Sequence, residues 1–234
     1  EKGELFHSHP GSASRPAAAT CFAIIIIFPM RSILLLLLSV FSSALSAQQA
    51  AFPVPPAPAI AAKSYLLFDF HSGQTLAAHD PYARVEPASL TKLMTAYLTF
   101  AALKQKRIRP DQTVPVSERA WRTEGSRMFI EPRKPVTVDE LIRGMIVQSG
   151  NDACIALAEA IAGSEEAFAE MMNREAQRLG LKNTRFANST GLTHPQHYST
   201  AQDLAQLAAA GIRDFPEHYP LYSQKDYRYN NITQ

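Results

Sequence analysis

Ser89 and Lys92 are the residues through which this chain could do chemistry. They stand three apart in Pro87-Ala88-Ser89-Leu90-Thr91-Lys92-Leu93-Met94-Thr95-Ala96-Tyr97-Leu98, so on a helix their side chains share a face one turn apart. A serine at a helix N-terminus lies among unpaired backbone N–H groups and the positive end of the dipole. A lysine crowded there and desolvated loses preference for the charged form. A neutral amine next to a hydroxyl is a general base beside a nucleophile. Ser149 and Asn151 form a second pair around Gly150. A hydroxyl and an amide on a tight turn can both point into one cleft, and the glycine permits the turn and a close backbone approach. Taken singly, each pattern has a plainer reading. The first also describes an N-cap serine followed by a surface lysine, and the second a helix C-cap followed by an N-cap.

The elements around these pairs follow from apolar periodicity. Leu90, Leu93, Met94, Tyr97, Leu98, Ala101 and Ala102 recur at helical spacing after Pro87, which predicts a helix opening at Ser89 with one buried face. Thr137-Val138-Asp139-Glu140 reads as a capping box, and Leu141, Ile142, Met145 and Ile146 continue it as a helix that runs into Ser149-Gly150-Asn151. Asp152 to Ala162 predicts a second, small and apolar helix, burying Cys154 as an inert packing residue. Ser164 is expected to cap an amphipathic helix ending at Gly180, and Ser199-Thr200-Ala201-Gln202 a further one stopped by Gly211. Ser64 to Phe70 and Gln74 to Ala78 predict a hairpin around His71-Ser72-Gly73. Trp121 to Glu131 reads as a loop, and Tyr227, Tyr229 and Ile232 as the start of a strand. His194 and His197 lack a third ligand at sensible spacing and read as loop residues.

The 234 residues carry a net charge of +2, which gives no case for a nucleic-acid partner. Of the two cysteines, Cys21 and Cys154, only the second lies in the expected folded part, so no intrachain disulfide is expected there. Met30-Arg31 resembles a true start with a short basic n-region, and Ile33 to Phe41 has the length of a signal-peptide h-region. Ala44-Leu45-Ser46 suggests cleavage before Ala47. The expected organisation is therefore upstream sequence over 1–29, a signal peptide over 30–46, a Pro-rich linker over 47–61 and a catalytic domain over 62–234. An uncleaved anchor is the alternative for the apolar segment, and either places the folded part outside the cytoplasm.

In combination the motifs are specific. Ala88-Ser89-Leu90-Thr91-Lys92-Leu93-Met94-Thr95, Gly125-Ser126-Arg127-Met128-Phe129 and Ser149-Gly150-Asn151-Asp152-Ala153 occur in order with Asn188-Ser189-Thr190-Gly191-Leu192, Tyr198-Ser199-Thr200-Ala201 and Tyr229-Asn230-Asn231-Ile232. From about Ala62 onward the chain resembles the low-molecular-mass penicillin-binding proteins, specifically the serine D-alanyl-D-alanine carboxypeptidases. The resemblance implies an α/β (α+β) DD-peptidase/β-lactamase-like fold with a helical subdomain plus an antiparallel sheet, the sheet incomplete in these residues. It implies Ser89 as nucleophile, Lys92 as general base, Ser149 as proton relay, and Asn151 holding the substrate's amide and positioning Lys92. The Ser89 N–H would form half of the oxyanion hole. The implied substrate is the peptidoglycan stem peptide, with β-lactam antibiotics as inhibitors and no metal or organic cofactor. The implied place is the periplasm, at the outer face of the inner membrane through a C-terminal tail.

The family's Lys-Thr-Gly motif does not occur in these residues, and Thr190 stands where some members carry histidine. The motif is expected beyond Gln234, with most of the sheet, so residues 47–234 alone are expected neither to fold stably nor to catalyse. Two alternatives share the motifs. A class A-like β-lactamase typically carries Asp where Gly150 stands, and a loop glutamate absent from Asn188 to His197. A non-catalytic peptidoglycan-binding relative would not be expected to keep Ser89, Lys92, Ser149 and Asn151 all intact.

Overall fold

The computed structural model describes residues 59–233. The upstream sequence, the signal peptide and most of the linker lie outside the described residues.

A small apolar helix forms the centre. Asn151–Ala162 (α4) buries Ala153, Cys154, Ala156, Leu157 and Ala158 completely. Alanines let neighbouring helices approach closely, and four pack on it: Lys92–Lys104 (α1), Glu118–Arg122 (α2), Val138–Val147 (α3) and Glu165–Arg178 (α5). Ala201–Asp214 (α6) lies on the far side of α1. The fold is mixed, with three small antiparallel pairs: Tyr65–Phe68 with Thr75–His79 (β1, β2), Thr113–Val114 with Val136–Thr137 (β3, β4), and Arg228–Tyr229 with Ile232–Thr233 (β5, β6). Among the described residues no helix is long and apolar enough to cross a membrane.

Local chemistry explains most boundaries. Thr137 and Glu140 form the expected capping box at the start of α3. Ser164 accepts the Ala167 N–H and caps α5, and Gly180 follows its end in the left-handed region. The β1–β2 hairpin turns at Gly73, and both histidines beside it, His71 and His79, are exposed.

Four expectations are corrected. Residues 118–122 form a short helix capped by Ser117, so Trp121 is helical rather than in a loop. The cap of α6 is Thr200, which accepts the Asp203 N–H, one position later than expected. The Asp203 carboxylate faces Asn183 and Thr184 instead of closing a box. Gly211 does not stop α6, because Asp214 in the following turn accepts the Tyr97 hydroxyl at 2.6 Å and Phe215 packs edge-on against Tyr97. Tertiary contacts there outweigh the poor helix propensity of glycine. Finally, Tyr229 and Ile232 belong to two strands of a hairpin, turned by Asn230 and Asn231 at positive φ.

One buried carboxylate fastens the loop before α3 to the central helix. Asp152 is almost fully buried and accepts N–H bonds from Met128, Phe129 and Ile130 at 3.0, 2.8 and 3.1 Å. Bonds to a charged acceptor are worth about 1.5–3 kcal/mol each, and a lost acceptor leaves buried donors unsatisfied. Asp152→Asn should therefore lower stability by about 3 kcal/mol. The urea midpoint of the full-length protein measures this, and an unchanged midpoint would rule the fastening out.

Candidate active site

The Ser89 turn is strained and closely packed. Residues Ala88–Thr91 form a 3-10 turn ahead of α1, so Ser89 precedes the α-helix instead of opening it. Ala88 takes a φ of +45°, unusual for a residue with a Cβ. Gly191, at φ +91°, lies so close that a Cβ would fall on the Ala88 carbonyl. Only glycine fits this contact.

Lys92 is 7% exposed. Its Nζ donates to Ser89 Oγ at 3.3 Å and to the Thr190 carbonyl at 2.8 Å. Burial holds its pKa below the ordinary lysine value. A nearby thiolate at Cys154 would oppose that shift, but burial pushes the Cys154 thiol up to about 12, so it stays neutral. The result is an amine biased toward its neutral form beside a serine hydroxyl.

Ser149 lies in the expected break between α3 and α4, and Asn151 is the first residue of α4. Ser149 has a φ of +59°, and its Oγ is the buried side-chain polar atom without a hydrogen-bond partner among the described residues. Buried polar atoms are rarely left so, and functional sites are where exceptions gather. Asn151 donates its N–H to the Ser126 carbonyl at 2.7 Å and Nδ2 to the Glu124 carbonyl at 2.7 Å. Ser126 Oγ donates to the Gln148 carbonyl at 2.6 Å. The Gly125–Phe129 stretch is thus bound to the Ser-Gly-Asn turn. Ser89 and Lys92 meet directly. The acceptor that holds Lys92 is the Thr190 carbonyl, while the Asn151 amide is engaged by Glu124.

Sequence reasoning did not single out that carbonyl or what holds it. Asn188 Oδ1 accepts from the Thr190 N–H, the Thr190 hydroxyl and the Gly191 N–H, curling the loop on itself. The Thr190 side chain is therefore turned into its own loop. Ser189 donates both its N–H and its hydroxyl to Glu165 Oε1, at 3.0 and 2.7 Å, and its carbonyl accepts from Thr95 Oγ1 at 2.6 Å. Glu165 is buried and also pairs with Arg119. The one available signal was Asn-Ser-Thr-Gly itself, a turn-prone run.

A buried lysine amine thus lies against a serine hydroxyl, a pairing that could serve as general base and nucleophile. The D-alanyl-D-alanine carboxypeptidase family model matches residues 49–234. The chain belongs to that family. It is 46% identical over 200 residues to the D-alanyl-D-alanine carboxypeptidase DacA of Haemophilus influenzae, covering 84% of this chain and 50% of that protein. The crystal structure of penicillin binding protein 5 from Haemophilus influenzae superposes with a TM-score of 0.74 at 46% identity, over 76% of this chain and 53% of that one. Penicillin-binding protein D2 from Listeria monocytogenes, in its cefotaxime-bound form, matches with a TM-score of 0.68 at 25% identity, over 76% of this chain and 73% of that one. The chain spans about half the length of the curated relatives it matches.

The Gly191 contact is testable. In Gly191→Ala the left-handed backbone alone costs about 1–2 kcal/mol, and the overlap with Ala88 adds to it. The variant should lose at least about 2 kcal/mol in urea unfolding. A wild-type midpoint would show that the two loops can part freely.

Proposed function

We propose that the protein removes the terminal D-alanine from peptidoglycan stem peptides through an acyl-enzyme on Ser89, in cell-wall biosynthesis and remodelling. The observation that carries this is the desolvated Lys92 amine, 3.3 Å from Ser89 Oγ. Lys92 Nζ takes the hydroxyl proton as Oγ attacks the carbonyl carbon between the two D-alanines. The Ser89 N–H stabilises the developing oxyanion. As the C–N bond breaks, the proton passes from Lys92 by way of Ser149 Oγ to the departing amine. The unpaired state of Ser149 Oγ suits a group that acquires its partner with substrate. Asn151 Nδ2 is occupied, which leaves its Oδ1 for a substrate amide N–H. Water then attacks the ester and frees Ser89.

The same nucleophile would open a β-lactam ring, and the cefotaxime-bound Listeria relative supports that reading. We read the chain as exported, with residues 30–46 removed and the folded part in the periplasm at the outer face of the inner membrane. The short basic start and the apolar run over residues 33–41 support export.

Intact mass after brief exposure to penicillin tests the reading. The full-length protein should gain one β-lactam and hold it for minutes or longer, and Ser89→Ala should gain none. Rapid disappearance of the adduct with consumption of penicillin would mean a β-lactamase, and no adduct would overturn the site. The pH dependence follows from Lys92. The base must be neutral, so acylation should be slow at low pH and rise as Lys92 loses its proton. Burial lowers that pKa, so the rise should be centred below 10.5. Lys92→Arg, locked in the charged form, should acylate about 100–10,000-fold more slowly.

A further inference from the structure

His197 was expected to be an unremarkable loop residue. It is instead 4% exposed and joins the two strips of backbone that define the Lys92 amine's position. Its ring lies edge-on to Phe186, with centroids 5.8 Å apart. Nδ1 is 3.3 Å from the Ala187 N–H. An amide N–H only donates, so Nδ1 is the acceptor and the ring proton sits on Nε2. Nε2 then donates to Thr91 Oγ1 at 2.8 Å. Both ring nitrogens are used, which fixes one neutral tautomer. Burial pushes the imidazole pKa down to about 4, with His194 adding to the effect, so this form persists at neutral pH.

Both partners matter. Thr91 is fully buried and lies between Ser89 and Lys92 in the chain, within the 3-10 turn. Ala187 opens the segment whose Thr190 carbonyl receives the Lys92 amine. Glu165 and Thr95 hold the middle of that segment through Ser189, and His197 holds its beginning. Among the described residues, no other side-chain hydrogen bond links the nucleophile turn to the segment's start.

We propose that His197 is a positioning residue for the Ser89–Lys92 pair, locking the nucleophile turn through Thr91 and the Lys92-holding loop through Ala187. It touches neither substrate nor the reacting atoms. The inference rests on the reading of Lys92 as base. Its physical basis is the 3.3 Å separation of Nζ and Oγ, long enough that a small drift of either strip removes the proton-transfer geometry. Misplacement by about 1 Å can cost on the order of 100-fold in rate.

The test is penicillin acylation of the full-length protein, separating the acylation rate at saturation from the non-covalent affinity. His197→Ala and Thr91→Val should each slow the saturated step by about 10–100-fold, with affinity within about twofold. The double variant should be no slower than the worse single one, because both break one link. His197→Gln, which can still donate to Thr91, should recover part of the rate. Additive losses, or a loss that tracks the folded fraction measured alongside, would overturn the proposal, as would wild-type rates in Thr91→Val. If His197→Ala does not fold, Thr91→Val and His197→Gln decide the matter alone. Failure of the wild-type protein to be acylated would instead defeat the reading of the site itself.

Discussion

The burial of one amine constrains the rest of the site. Lys92 opens α1 with its ammonium-bearing end inside the protein, where the charged form is disfavoured and, among the described residues, two oxygens accept hydrogen bonds from it. An ionised ammonium left in such a place is costly. The lowered pKa is the release: the group sheds its proton more easily, and the neutral amine needs fewer partners. The Thr190 carbonyl takes one N–H, which leaves the amine oriented relative to Ser89. A side-chain acceptor could swing away or carry charge. A backbone carbonyl does neither, provided that its loop is immobile.

Immobility comes at the cost of strain. Ala88, Phe129 and Ser149 all sit at positive φ without being glycine, and each such residue costs about 1–3 kcal/mol. Two of them adjoin or are candidate catalytic serines, and the third lies in the stretch fastened by Asp152. The compensation is visible nearby: a Gly191 that nests on Ala88, an Asp152 that gathers three N–H groups of the 128–130 loop, and an Asn188 that gathers three donors. The central α4, built from alanines and Cys154, gives these devices a rigid floor.

Much of this was legible in the residues. Ser89 with Lys92, the Ser149-Gly150-Asn151 break, the Thr137 box and the Ser164 cap are local patterns, and local patterns depend on neighbours three or four positions away. The Thr190 acceptor was not legible because it is a backbone carbonyl, which every residue carries. Glu165 and His197 were not, because their partners lie 24 and 106 positions away, and no periodicity encodes such a distance. The expectations at Gly211 and Trp121 failed for two separate reasons. Glycine reads as a stop until Tyr97 and Phe215 hold the next turn in place, and a five-residue helix is too short to show a period.

The buried carboxylates bear on how long an acyl-enzyme would last. Rapid hydrolysis needs a general base for water, and a glutamate near the nucleophile would be the obvious one. Glu165 is buried, but Oε1 is taken by Ser189 and Oε2 by Arg119. Asp152 is taken by four backbone N–H groups. Asp203 serves Asn183 and Thr184. Freeing any of them to activate water would dismantle the loop it secures. Among the described residues, then, these three buried carboxylates are committed to holding loops in place and are not free to serve as a base for water. Under the proposed acyl-enzyme reading, that commitment supports a lasting β-lactam adduct over rapid turnover.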